Sequence, residues 1–166
     1  DIFMGSADNL TYCLSGVDGS ILWSWNTTMD VWSVATLSDV NGDGINDCLA
    51  GTGNDTLYCF SGKPKGGITK IIWSMPTDET IWTVAAIGDV NGDGINDCLA
   101  GTAGNKVYCF CGNYGHVLWT YIDKSDILTV SSITDVNGDG KDDCIAGGHQ
   151  DSVVCISGGS SGTGEL

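Results

Sequence analysis

The chain has 166 residues, close to one domain by length, and 42% of them are hydrophobic, enough to build a core. Its charge is lopsided, with 21 acidic residues against 6 Lys, no Arg and a net charge of −15. Such a chain repels phosphate backbones and anionic lipid surfaces and lacks the Arg forks that read bases, so nucleic acid is excluded as a partner.

Glycine is abundant at 25 residues while proline numbers only 2, a balance that points to many tight turns. No apolar run approaches the roughly 18 residues of a membrane span, so no membrane insertion is expected. The opening at Asp1 reads as that of a processed chain or a piece of a longer one.

In chain order, DIFMGSADNLTYCLSG opens residues 1–27 and aligns with DCLAGTGNDTLYCFSG further on, so this first unit lacks a leading strand. Residues 31–76 contain the full set of four strand-type runs: VWSVATLSDV, NDCLAGT, TLYCFSG and IIWSM. Residues 81–122 repeat that set, and residues 127–158 stop after CISGG without a fourth run. The remaining 159–166 have the Gly/Ser composition of a tail or linker. No apolar pattern at helical spacing interrupts the series.

The units are copies of one another. DVNGDGINDCLAGT occurs at 39–52 and again at 89–102, and DVNGDGKDDCIAGG at 135–148, giving periods of 50 (Asp39 to Asp89) and 46 (Asp89 to Asp135). Trp23, Trp73 and Trp119 keep the same step, as do Trp32, Trp82 and Leu128, and the length difference falls in the loop KPKGGITK at 63–70. Four short strands repeated at this period predict an all-β fold: a β-propeller-type array of four-stranded antiparallel blades, about three and a half of them, within one domain at 1–158. Closed propellers contain at least four blades. The incomplete end blades are therefore expected to meet other copies of the chain or neighbouring blades of a longer one.

Three loops read D-x-N-G-D-G-x-x-D. Ca²⁺ takes six to eight oxygen ligands, which alternate positions of a tight loop can supply. The candidate ligands are Asp39, Asn41, Asp43, the carbonyl of Ile45 and Asp47; then Asp89, Asn91, Asp93, the Ile95 carbonyl and Asp97; then Asp135, Asn137, Asp139, the Lys141 carbonyl and Asp143. About three Ca²⁺ per chain are expected. The twelfth position, where an EF-hand places Glu, is Ala50, Ala100 and Ala146, and strands rather than helices flank the loops. The all-oxygen donor set disfavours soft transition metals.

These loops, the LAGT that follows them and the strand order resemble the FG-GAP repeats of integrin α-subunit propellers and of related secreted proteins. The endings GSILW and GHVLW also resemble blades of the pyrroloquinoline-quinone type. The resemblance extends to about Gly158 and implies a propeller stiffened by calcium within its blades. It further implies roles in adhesion, in carbohydrate or protein binding, or as scaffold. Those propellers have seven or eight blades, so the blade count departs from the family.

Counting from two-residue turns at Gly53-Asn54, Ala103-Gly104 and His149-Gln150 makes three cysteine pairs cross-strand partners: Cys48 with Cys59, Cys98 with Cys109 and Cys144 with Cys155. Directly opposed antiparallel positions are compatible with disulfide geometry. Cys13 and Cys111 remain unassigned, bonding each other, bonding other chains or staying as buried thiols. Sequons at Asn9, Asn26 and Asn54 fall at turns or strand ends and are candidate N-glycosylation sites. With paired cysteines they indicate an extracellular chain.

Catalytic signals are missing. His116 and His149 occupy variable loops, no nucleophile elbow or phosphate loop occurs, and the carboxylates concentrate in the metal loops. The recurring Trp residues read as core, with Tyr114 the one clear exposed aromatic. The sequence therefore predicts a secreted, calcium-binding, non-catalytic structural, adhesive or filament-forming module. The alternative is a glycan- or protein-binding domain of a larger propeller.

Overall fold

The computed structural model describes residues 1–63, 71–149 and 153–159. Most of the insertion at 63–70, Gln150 of the predicted third turn, and the tail beyond Gly159 lie outside the described residues.

The described residues form strands and turns only, in four antiparallel sheets that do not close into a ring. The first sheet holds β1 (Ile2–Gly5), β2 (Leu10–Leu14) and β3 (Ile21–Asn26) in that order. The second holds β4 (Val31–Leu37), β5 (Asp47–Thr52), β6 (Thr56–Phe60) and β7 (Ile71–Pro76). The third repeats it with β8 (Ile81–Ile87), β9 (Asp97–Thr102), β10 (Lys106–Phe110) and β11 (Val117–Ile122). The last contains β12 (Ile127–Ile133), β13 (Asp143–Gly148) and β14 (Val153–Ile156). Each sheet is a meander in sequence order, the arrangement of a propeller blade.

Neighbouring blades stack face to face through three buried clusters. Cys13 and Trp23 meet Cys48, Ala50 and Phe60 between the first two sheets. Leu49, Leu57, Cys59 and Trp73 of the second sheet meet Ile81, Cys98, Ala100 and Phe110 of the third. Leu99, Val107, Cys109 and Trp119 then meet Cys144, Ala146 and Ile156 of the fourth. The alternation along DCLA explains this. Cys48 and Ala50 project to one face and Leu49 to the other, so both sides of a central strand are buried.

The hairpins correct one sequence expectation. The loop between β5 and β6 has three residues, Gly53-Asn54-Asp55, and closes on Asp55 in the left-handed region at φ 60°. Asn9 (φ 68°) and Asn105 (φ 64°) do the same in the first and third sheets. A three-residue loop ending in a left-handed residue shifts the register by one relative to a two-residue turn. Cys48 therefore lies opposite Phe60 and Cys59 opposite Leu49. Likewise Cys98 faces Phe110 and Cys109 faces Leu99, while Cys144 faces Ile156 and Cys155 faces Ile145. The expected within-blade disulfides 48–59, 98–109 and 144–155 are overturned, because the two sulfurs of each pair leave opposite faces of one sheet. All eight cysteines are thiols here.

The leading strand of each of the last three sheets, β4, β8 and β12, carries a bulge after its first residue, at Val31/Ser33, Ile81/Thr83 and Ile127/Thr129. The residue inside the bulge leaves the ladder. Trp32 is thereby 57% exposed and Leu128 45%, which corrects the reading of Trp32 as core.

Candidate metal loops

Each D-x-N-G-D-G-x-x-D segment connects strand 1 to strand 2 at one end of its blade. In the first, Asp39 Oδ1 accepts from Gly42 N (2.7 Å) and Asp43 N (3.1 Å), and its Oδ2 accepts from Gly44 N (2.6 Å). Asn41 Oδ1 accepts from Asp43 N at 3.0 Å, and Asp43 Oδ1 from Ile45 N at 3.0 Å. The same bonds recur around Asp89, Asn91 and Asp93, and around Asp135, Asn137 and Asp139. Gly44, Gly94 and Gly140 take φ of 86°, 87° and 85°, which lets the chain coil around the leading carboxylate.

Asp47, Asp97 and Asp143 have a task that the sequence did not suggest. Each is fully buried and ties its loop to the end of strand 3. Asp47 Oδ2 accepts from Val40 N at 2.8 Å, while its Oδ1 accepts from Gly62 N at 3.0 Å and Asn41 Nδ2 at 3.1 Å. Asp97 does this with Val90 N and Gly112 N, and Asp143 with Val136 N and Gly158 N. The second amide in each case belongs to a glycine that admits no side chain. A Cβ on Gly62, Gly112 or Gly158 would sit 2.0, 1.9 or 1.9 Å from the carbonyl oxygen of Asn46, Asn96 or Asp142.

Electrostatics separate the two kinds of carboxylate. Asp39 is held below the ordinary carboxylate range, chiefly by the Gly44 amide. Burial pushes Asp47 and Asp97 above it despite their amide partners.

A hydroxyl missed by sequence reasoning braces the fifth loop position. Ser61 Oγ donates to Asp43 Oδ2 at 3.2 Å and Ser157 Oγ to Asp139 Oδ2 at 3.0 Å. In the second loop the equivalent residue is Cys111, whose thiol donates to Asp93 Oδ2 at 3.3 Å. The signal was present in the aligned endings CFSG, CFCG and CISG. Cys111 therefore sits at the loop end of the third blade, whereas Cys13 lies between the first two sheets. A bond between those two is overturned.

Among the described residues no three His, Cys, Asp or Glu side chains stand together as a ready metal centre. The donor chemistry nevertheless fits a hard cation. Two carboxylates, an amide oxygen and a backbone carbonyl occupy alternate positions of each loop, with amides to hold them. In the third loop, Lys141 Nζ reaches across to donate to the Val90 carbonyl of the second. The residues that fit are Asp39, Asn41, Asp43 and Ile45, with their counterparts in the other two loops.

The sequons differ in availability. Asn26 is exposed. Asn54 Nδ2, the atom a glycan would occupy, donates to Thr27 O, Thr28 Oγ1 and Tyr58 Oη, which argues against its use in the folded chain.

The family profile described as an FG-GAP-like repeat matches residues 39–100, which span the first two metal loops. No curated protein sequence matches the chain significantly. Among solved structures, Sqt1 of Saccharomyces cerevisiae is similar at a TM-score of 0.77 and 12% identity, over 99% of this chain and 42% of that one. The computationally designed protein Ika8 is similar at 0.70 and 14%, over 99% and 44%. BBS1N, solved in complex with ARL6DN, is similar at 0.67 and 10%, over 93% and 46%. At these identities the likeness concerns the fold, and the chain spans less than half the length of each structure.

Proposed function

We propose, on the premise that residues 39–100 carry an FG-GAP-like repeat, that this chain is a calcium-stabilised, non-catalytic propeller-repeat module of the extracellular space. The observation that carries the reading is the threefold recurrence of one loop geometry, with the same oxygens presented by the same amide bonds at each blade. A cation bound there would relieve repulsion among carboxylates and lock strand 1 to strand 2, a structural use of the metal. Extracellular placement is supported by the habit of FG-GAP repeats and by the N-x-T at Asn26. The module acts in structure, adhesion or self-assembly. Its end blades each offer an apolar face, with Ile2 56% and Met4 40% exposed at one end and Val153 70% exposed at the other.

Native mass spectrometry before and after chelation tests this. Three Ca²⁺ per chain, with an oligomeric ladder that collapses on chelation, is the expected result. A chain that binds no Ca²⁺ at millimolar concentration would overturn the calcium reading, and a calcium-loaded monomer would overturn the assembly role.

A second reading, a glycan- or protein-binding domain, is favoured by one feature. The bulges push Trp32 and Leu128 outward at the rim opposite the metal loops, and the exposed Met29 lies close to Trp32 around Gly53. Aromatic and aliphatic side chains on a loop-bearing rim suit sugar stacking or a protein hot spot, and a similar fold occurs in BBS1N complexed with ARL6DN. Retention of the wild-type chain on a glycan or protein array, and its loss in Trp32→Ala, would establish it.

A further inference from the structure

The cysteines excluded from within-blade pairing are arranged by the same register against cysteines of the next blade. Strand 3 of each blade sends one cysteine to its forward face: Cys13, Cys59 and Cys109. Strand 2 of the following blade sends one to its backward face: Cys48, Cys98 and Cys144. Each forward and backward cysteine share one buried cluster, Cys13 with Cys48, Cys59 with Cys98 and Cys109 with Cys144. We infer that these are three inter-blade disulfide sites, Cys13–Cys48, Cys59–Cys98 and Cys109–Cys144, which staple the blades in series.

Several features suit a bond at this level of the stack. The cysteine of strand 2 is followed two residues later by Ala50, Ala100 or Ala146, all essentially without exposure, so small side chains border each sulfur. Gly51 and Gly101, next along the strand, have no room for a Cβ beside Ile81 and Ile127 of the next blade, which shows how closely the sheets approach there. Face-to-face sheets are bridged in this manner in immunoglobulin domains, where the disulfide links one sheet to the other.

The ends of the series follow the same rule. Ile2 occupies the strand-2 position of the first blade, and Cys155 is the forward cysteine of the last. Cys155 therefore lacks an in-chain partner and is less buried than the other seven. Cys111 is already committed to Asp93 at the loop end.

Each bond forms by exchange with a small-molecule disulfide such as oxidised glutathione. A cysteine thiolate attacks the donor, breaking its S–S bond and releasing one thiolate; the facing thiolate then displaces the second. Two protein protons end on two glutathione thiols, and the donor is reduced as the protein pair is oxidised.

The test uses the full chain, purified reduced and incubated with excess oxidised glutathione until its thiol content is constant, then digested without reduction for peptide mapping. Linked peptides joining 13 to 48, 59 to 98 and 109 to 144, with two thiols left to titrate in denaturant, are expected. Links joining 48 to 59, 98 to 109 or 144 to 155, or eight persisting thiols, would overturn the proposal. In Cys59→Ser, Cys98 alone should join the titratable thiols; should that variant fail to fold, the wild-type map still decides.

Discussion

Gly51 and Ile81 meet across the boundary between the second and third sheets so closely that a Cβ on residue 51 would lie 2.5 Å from Ile81 Cγ2. The contact repeats as Gly5 against Val31 and Gly101 against Ile127, each at 2.5 Å, so one rule sets the spacing of three interfaces. Gly147, the fourth in the series, has among the described residues only Thr129 of its own sheet nearby, at 3.1 Å.

Gly51→Ala and Gly101→Ala should therefore destabilise by about 1–3 kcal/mol, the usual effect of forcing extra volume into a packed core. Gly147→Ala should shift stability by less than half as much. Urea denaturation followed by tryptophan fluorescence measures all three.

Asp43 and Asp47 should separate in their dependence on calcium. Asp43→Ala removes a loop ligand, so it should lower the melting temperature in calcium and change it little in chelator. Asp47→Ala strips acceptors from the buried amides of Val40 and Gly62 and should cost roughly 2–4 kcal/mol in both conditions. Thermal melts of both variants with calcium and with a chelator provide the check; equal calcium dependence would reassign Asp47 as a ligand of the same kind as Asp43.

Trp73 Nε1 donates to Gly112 O at 2.7 Å, and Trp119 Nε1 to Gly158 O at 3.0 Å, joining the second and third blades to the end of strand 3 of the next. Trp73→Phe deletes a donor and leaves the buried carbonyl unpaired, with an expected loss of about 1–3 kcal/mol. Trp25→Phe, on a half-buried side chain, should lose less in the same denaturation assay.

Burial raises the Cys48 and Cys144 thiols from 9.0 to about 12. A group whose folded value is raised stabilises the fold below its unfolded value and loses that contribution as pH climbs toward the folded one. Under reducing conditions the chain should be stable to pH 9 and weaken progressively between 9 and 12. Iodoacetamide at pH 8 should label Cys155 first and spare Cys48 and Cys144 until the chain unfolds. Time-resolved labelling read by mass spectrometry follows the order.

The sequence alone determined what repeats and local chemistry can carry. The loop D-x-N-G-D-G-x-x-D recurs with its glycines, and the strand-type runs alternate between turn residues, so four β units and three oxygen-rich loops were legible before any fold was seen. Tertiary structure decided everything that depends on a count of one residue or on a neighbour from another blade. Asp55 and Asn105 close three-residue turns in the left-handed region, and that single extra residue moves Cys48 and Cys59 to opposite faces. Trp32 reads like the buried Trp23, Trp73 and Trp119 until a bulge swings it outward. Asp47, expected from the sequence as a further acidic ligand, also anchors its loop through the amide of Gly62, fifteen residues on. Strand periodicity is local and survives in one dimension, whereas register and blade stacking are set by turn geometry and by contacts between residues far apart in the chain.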